Sequence, residues 1–525
     1  MKRFLPFVLL AALFSCTPQE ETVYPKAEIL SFEFNGKAIT EKSVPSDVNG
    51  SAMWRLTFSK ELDGSRIDPD KISITGVSQD SFDLAVEGKV LTVSSNKTLP
   101  SSTKIILRLY AGKNFGVDLL YGYKLAFVTG YSTSDKFPQI SDDELFDKVQ
   151  KATFNYFWDY AHPTSGLARE RLGSGDTVAA GGSGFGIMAI IVGVERGWIT
   201  RTEGAARILK IANFLADAER FHGAWPHWIN GQTGKAIAFS TYDDGADLVE
   251  TAFLMEGLLA ARQYFNGSDA TESSLRSKIT ELWEGVEWTW FQRGGQNVLY
   301  WHWSANHDWK MNMRITSWNE AQIVYILAAS SPTYPISKDV YEQGWKPSNS
   351  YGYKSPLFFV HYSYMGLDPR KLSDGTRDYW QQLCQHVRTN YEYCVSSTKG
   401  YGYSAECWGL TASDYYNGYT ASSPNHDTGT VAPTAALASF PYSPEESMAA
   451  MKYFYYKLGD RLWSDYGFKD AFALKENWFA PSYIAIDQGP IVVMMENYRT
   501  GLLWDSFMKD TDVQAGLTKL GFTWK

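Results

Sequence analysis

The sequence predicts a mainly α protein: an (α/α)6 toroid of paired helices, preceded by an all-β sandwich. Three observations carry this reading. Apolar residues alternate in short runs up to about residue 130, then recur at helical spacing from about residue 141. In the second region the periodic stretches are separated by long loops rich in Gly, Trp, Tyr and Asn, which on a compact scaffold commonly carry function.

Residues 1–16 combine Lys2 and Arg3 with a short apolar run from Phe4 to Phe14, the pattern of a signal peptide and too short to span a bilayer. Leu13-Phe-Ser-Cys16 resembles a bacterial lipobox, so Cys16 is the expected lipidated residue and 17–26 a tether. An exported lipoprotein is the expectation, anchored to the outer membrane on its periplasmic or cell-surface side. Residues 27–132 carry the runs Ile29–Phe34, Trp54–Phe58, Ile72–Ile74, Val90–Val93 and Ile105–Tyr110, punctuated by Gly, Asp, Asn and Pro, as in an immunoglobulin-like β-sandwich. The sandwich reads as a spacer. Residues 133–140 form a polar linker, and Ser141 with its following acids marks a helix start.

From 141 to 525 about twelve amphipathic stretches follow, at 144–160, 184–197, 201–219, 245–265, 273–292, 318–329, 354–366, 374–396, 429–439, 444–459, 487–508 and 512–520. Six helical hairpins closing into a toroid account for them, and no repeat of solenoid length competes.

Composition narrows the partners. The net charge of −9 and pI near 5.5 exclude a phosphate-backbone binder, which needs a basic face. An aromatic content of 15%, with 19 Trp and 32 Tyr, suits stacking on sugar rings, so a neutral glycan is the expected partner and a monomer the expected state. Beyond Cys16 three cysteines remain, without a CxxC pair, and the eight His include no HExxH; at most one disulfide, no metal and no cofactor are expected.

The densest chemistry lies in Tyr242-Asp243-Asp244-Gly-Ala-Asp247-Leu-Val-Glu250. Read as one helix, the segment places Asp243, Asp247 and Glu250 on a single face, and convergent carboxylates among aromatics are what glycosidic hydrolysis requires. Macrodipole stabilisation accounts for Asp243 or Asp244 but not for Glu250. Arg169, Trp225, His227, Trp303, Arg314, His361 and Trp408 are candidate substrate contacts. Asp427 reads as a further acid or a cap, and Glu496 with Arg499 as an ordinary helical pair.

Six motifs extend this reading. Gly184-Phe-Gly-Ile-Met188 with Arg196-Gly197, Tyr242–Ala252, Trp318-Asn-Glu-Ala321 with Val324–Pro332, Pro356–Ser363, Tyr466–Phe472 and Ile486–Trp504 occur in an order that resembles the glucoamylase-like bacterial hydrolases of glycoside hydrolase family 144. The resemblance covers about 141–525. It implies an (α/α)6 barrel, no metal requirement and inverting hydrolysis of β-1,2-linked glucose chains, with exo release of sophorose or endo cleavage both open. It points to Glu320 as general acid. Asp487, at a helix start, is the favoured base, with capping as its competing role and Asp243, Asp247 and Glu250 as alternative bases or hydroxyl-holding acids. A glycosidase of another linkage and a non-catalytic glycan-binding lipoprotein remain the alternative readings.

Overall fold

The computed structural model describes residues 23–46, 48–130, 134–345 and 352–525. Cys16, the signal peptide and most of the tether lie outside these residues. The chain divides into two units, Met1–Ser132 and Thr133–Lys525.

The first unit holds eleven strands among its described residues: β1 (Lys26–Ala27), β2 (Ile29–Phe34), β3 (Lys37–Ile39), β4 (Met53–Phe58), β5 (Ile72–Thr75), β6 (Phe82–Glu87), β7 (Val90–Ser95), β8 (Lys104–Leu109), β9 (Gly112–Asn114), β10 (Val117–Leu119) and β11 (Tyr123–Val128). One sheet runs β3-β2-β4-β7-β6, a second β11-β8-β5, and a third β1-β10-β9 in which β1 is parallel to β10. Alternation explains the core: Trp54, Leu56 and Phe58 of β4 point inward while Arg55 is exposed. Trp54 packs on Phe34 and Phe127 with ring centroids 5.7 and 5.1 Å away.

The helices of the second unit are α1 (Asp142–Trp158), α2 (Ala180–Glu195), α3 (Arg201–Asp217), α4 (Leu248–Tyr264), α5 (Ala270–Glu284), α6 (Gln322–Ser330), α7 (Lys338–Gly344), α8 (Tyr379–Ser396), α9 (Pro433–Leu437), α10 (Pro444–Lys452), α11 (Gly459–Leu462), α12 (Ala485–Arg499), α13 (Leu502–Met508) and α14 (Thr511–Leu520). They make two concentric layers. In the inner layer α12 packs on α2, α2 on α4, α4 on α6, α6 on the 357–364 segment, and α9 on α12. The 357–364 segment meets the end of α9 through a 3.0 Å His361–Ser439 hydrogen bond, which completes the ring. Outside it, α1 backs α12 and α2, α3 backs α2, α5 backs α4, α8 backs the 357–364 segment, α10 backs α9, and the C-terminal α14 backs α6.

The layers differ in sequence for a physical reason. Inner helices are enclosed on every side, so α2 is buried from Ala180 to Gly193 and α4 from Leu248 to Ala261. Outer helices keep a polar face and conventional caps, such as the reciprocal Ser141–Glu144 box of α1 and the Thr200–Glu203 box of α3. The α2–α4 crossing is close enough to require glycine. A Cβ on Gly184 would lie 2.1 Å from the Phe253 carbonyl oxygen, and one on Gly257 2.1 Å from that of Gly184.

Several expected helices take other forms. The 354–366 stretch contains two short 3-10 turns, Leu357–Val360 and Tyr362–Tyr364, since Pro356 starts the first and the His361 and Tyr364 amides bond three residues back. The 487–508 stretch is broken at Gly501, whose φ of +74° ends α12 and restarts the chain as α13. The 273–292 stretch stops at Glu284, and Lys338–Gly344 is helical where no helix was expected. Glu496 and Arg499 do not pair with each other: Glu496 takes the Arg196 guanidinium at 2.8 Å and Arg499 the Asp147 carboxylate at 2.5 Å, because the ring brings long-range partners closer than the helical neighbour.

Candidate active site

Four inner elements bring their N-terminal ends together. The Gly181 amide of α2 donates to Glu250 of α4 at 2.7 Å, and a Cβ on Gly182 would lie 2.8 Å from Ala485 of α12. Glu320, just before α6, lies within electrostatic reach of Asp247 and Glu250. The positive ends of these helices therefore face the carboxylates.

One cluster surrounds Asp247. This residue caps α4, taking the Val249 and Glu250 amides on Oδ1 at 3.0 Å each, while its Oδ2 faces His227 Nδ1 at 3.1 Å. Asp243 lies in the preceding loop and not on the helix, contrary to the single-helix reading; a chain reversal from Ser240 to Asp243 returns it to the site. Its Oδ2 is 3.4 Å from His302 Nε2, and that nitrogen is 3.7 Å from Asp247 Oδ2. His302 arrives because Ala246–Asp247 pairs antiparallel with His302–Trp303. Asp244 faces away, onto Ser304 and Asn306.

Burial opposes charge on both histidines, yet the carboxylates prevail: Glu250 and Asp247 raise His227 to about 9, and Asp243 and Asp247 raise His302. Burial likewise pushes Asp247 upward, but the His227 hydrogen bond and the two imidazoliums hold it below its ordinary value. Burial carries Glu250 up to about 7, against the weaker pull of His227 Nε2 at 4.0 Å and of the Gly181 amide. His227, Asp243 and Asp247 present ligand atoms within 4.8 Å of one another, the spacing of a possible cation site, although His227 and Asp247 already satisfy each other.

Glu320 occupies a tight turn. Ser317, three residues earlier, has a left-handed φ of +70°, a strained position for a side-chain-bearing residue, and the Ser363 hydroxyl holds the Glu320 carbonyl. Burial, reinforced by Asp247 and Glu250, raises the Glu320 carboxyl to about 7.

Asp487 lies in the first turn of α12, in a second cluster. It is not the N-cap, a position taken by Ile484. Tyr362 directs its hydroxyl toward Asp487 Oδ1 at 3.5 Å, and the buried Asp470 lies within electrostatic reach of Asp487. Asp470 accepts the Asp414 amide at 2.7 Å, and Asp414 in turn takes the Arg171 guanidinium at 3.1 and 3.2 Å. Burial and the Asp470 charge raise Asp487 well above the carboxylate range.

These features match known proteins. Residues 312–511 fit the family model described as "Putative glucoamylase". A protein of that description from Bacteroides uniformis is 57% identical, with a TM-score of 0.72, covering 74% of this chain and 99% of its own. An endo-β-1,2-glucanase of Chitinophaga pinensis, solved with sophorotriose and glucose, is 48% identical over 74% of this chain and 99% of its own, also at a TM-score of 0.72. The chain belongs to the glucoamylase-like glycoside hydrolases of family 144. An exo β-1,2-glucooligosaccharide sophorohydrolase of Parabacteroides distasonis is 45% identical over 419 residues, 73% of this chain; the match spans 58% of that relative's length.

Within this family 144 domain the structure sorts the candidate contacts. His227 is in the first cluster, its ring stacked on the half-exposed Phe239 with centroids 4.1 Å apart. Trp225, His361 and Trp408 are corrections: they are 0–1% exposed and present no surface to a ligand. The Trp225 indole donates to the Leu215 carbonyl and that of Trp408 to Glu446, while burial lowers His361 to about 3 and leaves it a neutral partner of Ser439. Arg169 is committed to the Gly175 and Tyr160 carbonyls. Trp303, next to His302 on its strand, turns to the opposite face against His222 and Trp290. Arg314 is exposed and bonds Tyr300. Asp427 sits in its own network with Tyr393, Tyr403 and Lys399. Cys384, Cys394 and Cys407 are free thiols.

The sequence points to His302 only as part of the Trp301-His302-Trp303 cluster, a candidate for a lined cleft, and does not single out Asp470, Asp414 or Tyr362 as site residues. Asp470 lies in the Tyr466–Phe472 motif and Tyr362 in the Pro356–Ser363 motif.

Proposed function

We propose that the protein hydrolyses β-1,2-linked gluco-oligosaccharides and glucans with inversion, Glu320 acting as general acid and Asp487 as base. The observation that carries this is Glu320, a carboxyl raised to about 7 where the inner helix ends meet, set beside 48% identity to an endo-β-1,2-glucanase. Glu320, raised to about 7, carries the proton a leaving oxygen needs near neutrality. Asp247 is ionised but spent: one oxygen caps α4 and the other holds His227. It is a poor water activator, so the base falls to Asp487. Asp243 Oδ1 and His302 Nδ1 are buried without a hydrogen-bond partner, which suits them to sugar hydroxyls. The first cluster then binds and orients the ring beside the bond to be cut.

The test is a time course on linear β-1,2-glucan and on short β-1,2-gluco-oligosaccharides, with products separated by chromatography. Sophorose from the first time point means cleavage at a chain end; a spread of sizes means interior cleavage. No hydrolysis of either substrate overturns the linkage. For localisation we propose export and lipid anchoring through Cys16. Detergent-phase partition of the native chain, lost in Cys16→Ser, is the expected result, and partition into the aqueous phase by both overturns it.

A further inference from the structure

Asp487 and Asp470 are 1% and 2% exposed, and each has one oxygen that meets no donor. Asp487 Oδ1 faces the Tyr362 hydroxyl and Asp470 Oδ2 takes the Asp414 amide, which leaves Asp487 Oδ2 and Asp470 Oδ1 as the orphans. Two buried carboxylates with bare oxygens would each bear the full desolvation cost of an unmet acceptor, and like charges in contact cannot both persist. The two side chains are near enough to act on each other's charge, and a bond between their two bare oxygens would demand a proton.

We propose that Asp470 is a positioning residue that shares one proton with Asp487, so that the two carboxyls act as a single base. This rests on the reading of Asp487 as base. In the resting pair the proton is on Asp487 Oδ2 and is donated to Asp470 Oδ1. When water attacks the anomeric carbon, its proton passes to Asp487 Oδ1 and the Oδ2 proton moves to Asp470. The oxygen of water bonds to carbon, the glycosidic C–O bond breaks, and the leaving oxygen takes the proton of Glu320. The pair ends with two protons and Glu320 with none, and solvent exchange restores both.

The surroundings fit a pair holding one negative charge. Arg171 is the cation that acts on Asp470, and it is already divided between Asp414 and Glu170. Tyr362 approaches Asp487 as a neutral phenol, held well above its ordinary pKa by burial and by Asp487 itself. Asp414 is also held by the Ser482 hydroxyl, and the Asp470 amide bonds the Ser482 carbonyl at 3.0 Å, fixing the pair's backbone. Asp470 raises Asp487 whereas Asp487 lowers Asp470, so the proton of the coupled unit resides on Asp487 and is offered to Asp470.

The experiment is infrared titration of the whole protein labelled with carbon-13 at aspartate carboxyls, so that Glu320 and Glu250 do not contribute. A protonated-aspartate band persisting into mildly alkaline pH is expected, titrating about 1–3 units lower in Asp470→Asn. Absence of the band above neutrality, or an unchanged titration in the variant, overturns the shared proton. Asp470→Asn is expected to lose kcat at nearly constant KM, with partial recovery in Asp470→Glu. A loss of stability with an unmoved titration would mean a merely structural Asp470. If Asp470→Asn does not fold, Asp487→Asn serves, and a band titrating there as in the wild type overturns the proposal. Full activity in Asp487→Asn overturns Asp487 as base, while the band still reports on the pair.

Discussion

Two carboxylate clusters on adjoining helix ends of one ring keep their charge in opposite ways. Around Asp247, two imidazoles answer the carboxylates, and the aspartate stays ionised although buried. Around Asp487, Tyr362 and Asp470 are the neighbours that meet its carboxyl, so burial and the Asp470 charge drive it upward. An aspartate at the start of an inner helix is thus ionised or proton-holding according to the partner that other segments supply.

The sharpest way to break this comparison is to remove the acid beside the Asp247 cluster. Glu320→Gln is expected to lower kcat about 10²–10⁴-fold with little change in KM, measured as sugar release from β-1,2-gluco-oligosaccharides. The pH profile sharpens it next. Glu320 loses its proton as pH rises through about 7, and the Asp470–Asp487 pair fills with protons as pH falls through about 7. A narrow bell for kcat/KM centred near neutrality is expected, and a broad plateau would contradict the assignment.

Stability separates the clusters further. Gly184→Ala forces a methyl against the Phe253 carbonyl and is expected to cost about 1–3 kcal/mol in chemical denaturation, through the α2–α4 contact that supports Glu250. Asp247→Ala removes a helix cap and is expected to cost about 0.5–2 kcal/mol. The smallest effect concerns His227, whose pKa is raised on folding to about 9. Its contribution to stability is complete below its unfolded value of about 6.5 and is lost as pH rises toward 9. Thermal melts of His227→Gln should show a shallower fall across that window than the wild type.

The sequence carried the division into a β region and a helical region because alternation and helical periodicity are local properties, visible in β4 and in α3 without any partner. The carboxylate trio was legible as a crowd, but the geometry inferred for it was not: Asp243 reaches the site through a loop that bends back at Ser240, a turn no periodicity encodes. Aromatic and histidine identity misled for the same reason. Trp225, His361 and Trp408 look like ligand-facing groups in one dimension, and burial makes them core.

By itself the sequence determined the division into a β region and a helical region, where the acids crowd, and that Glu320 and Asp487 stand at helix starts. The tertiary structure alone decided which of those acids keep a proton. That depends on His302, Asp470 and Tyr362 arriving from distant segments, and a carboxyl's charge is set by its burial and its neighbours in space, not in the chain.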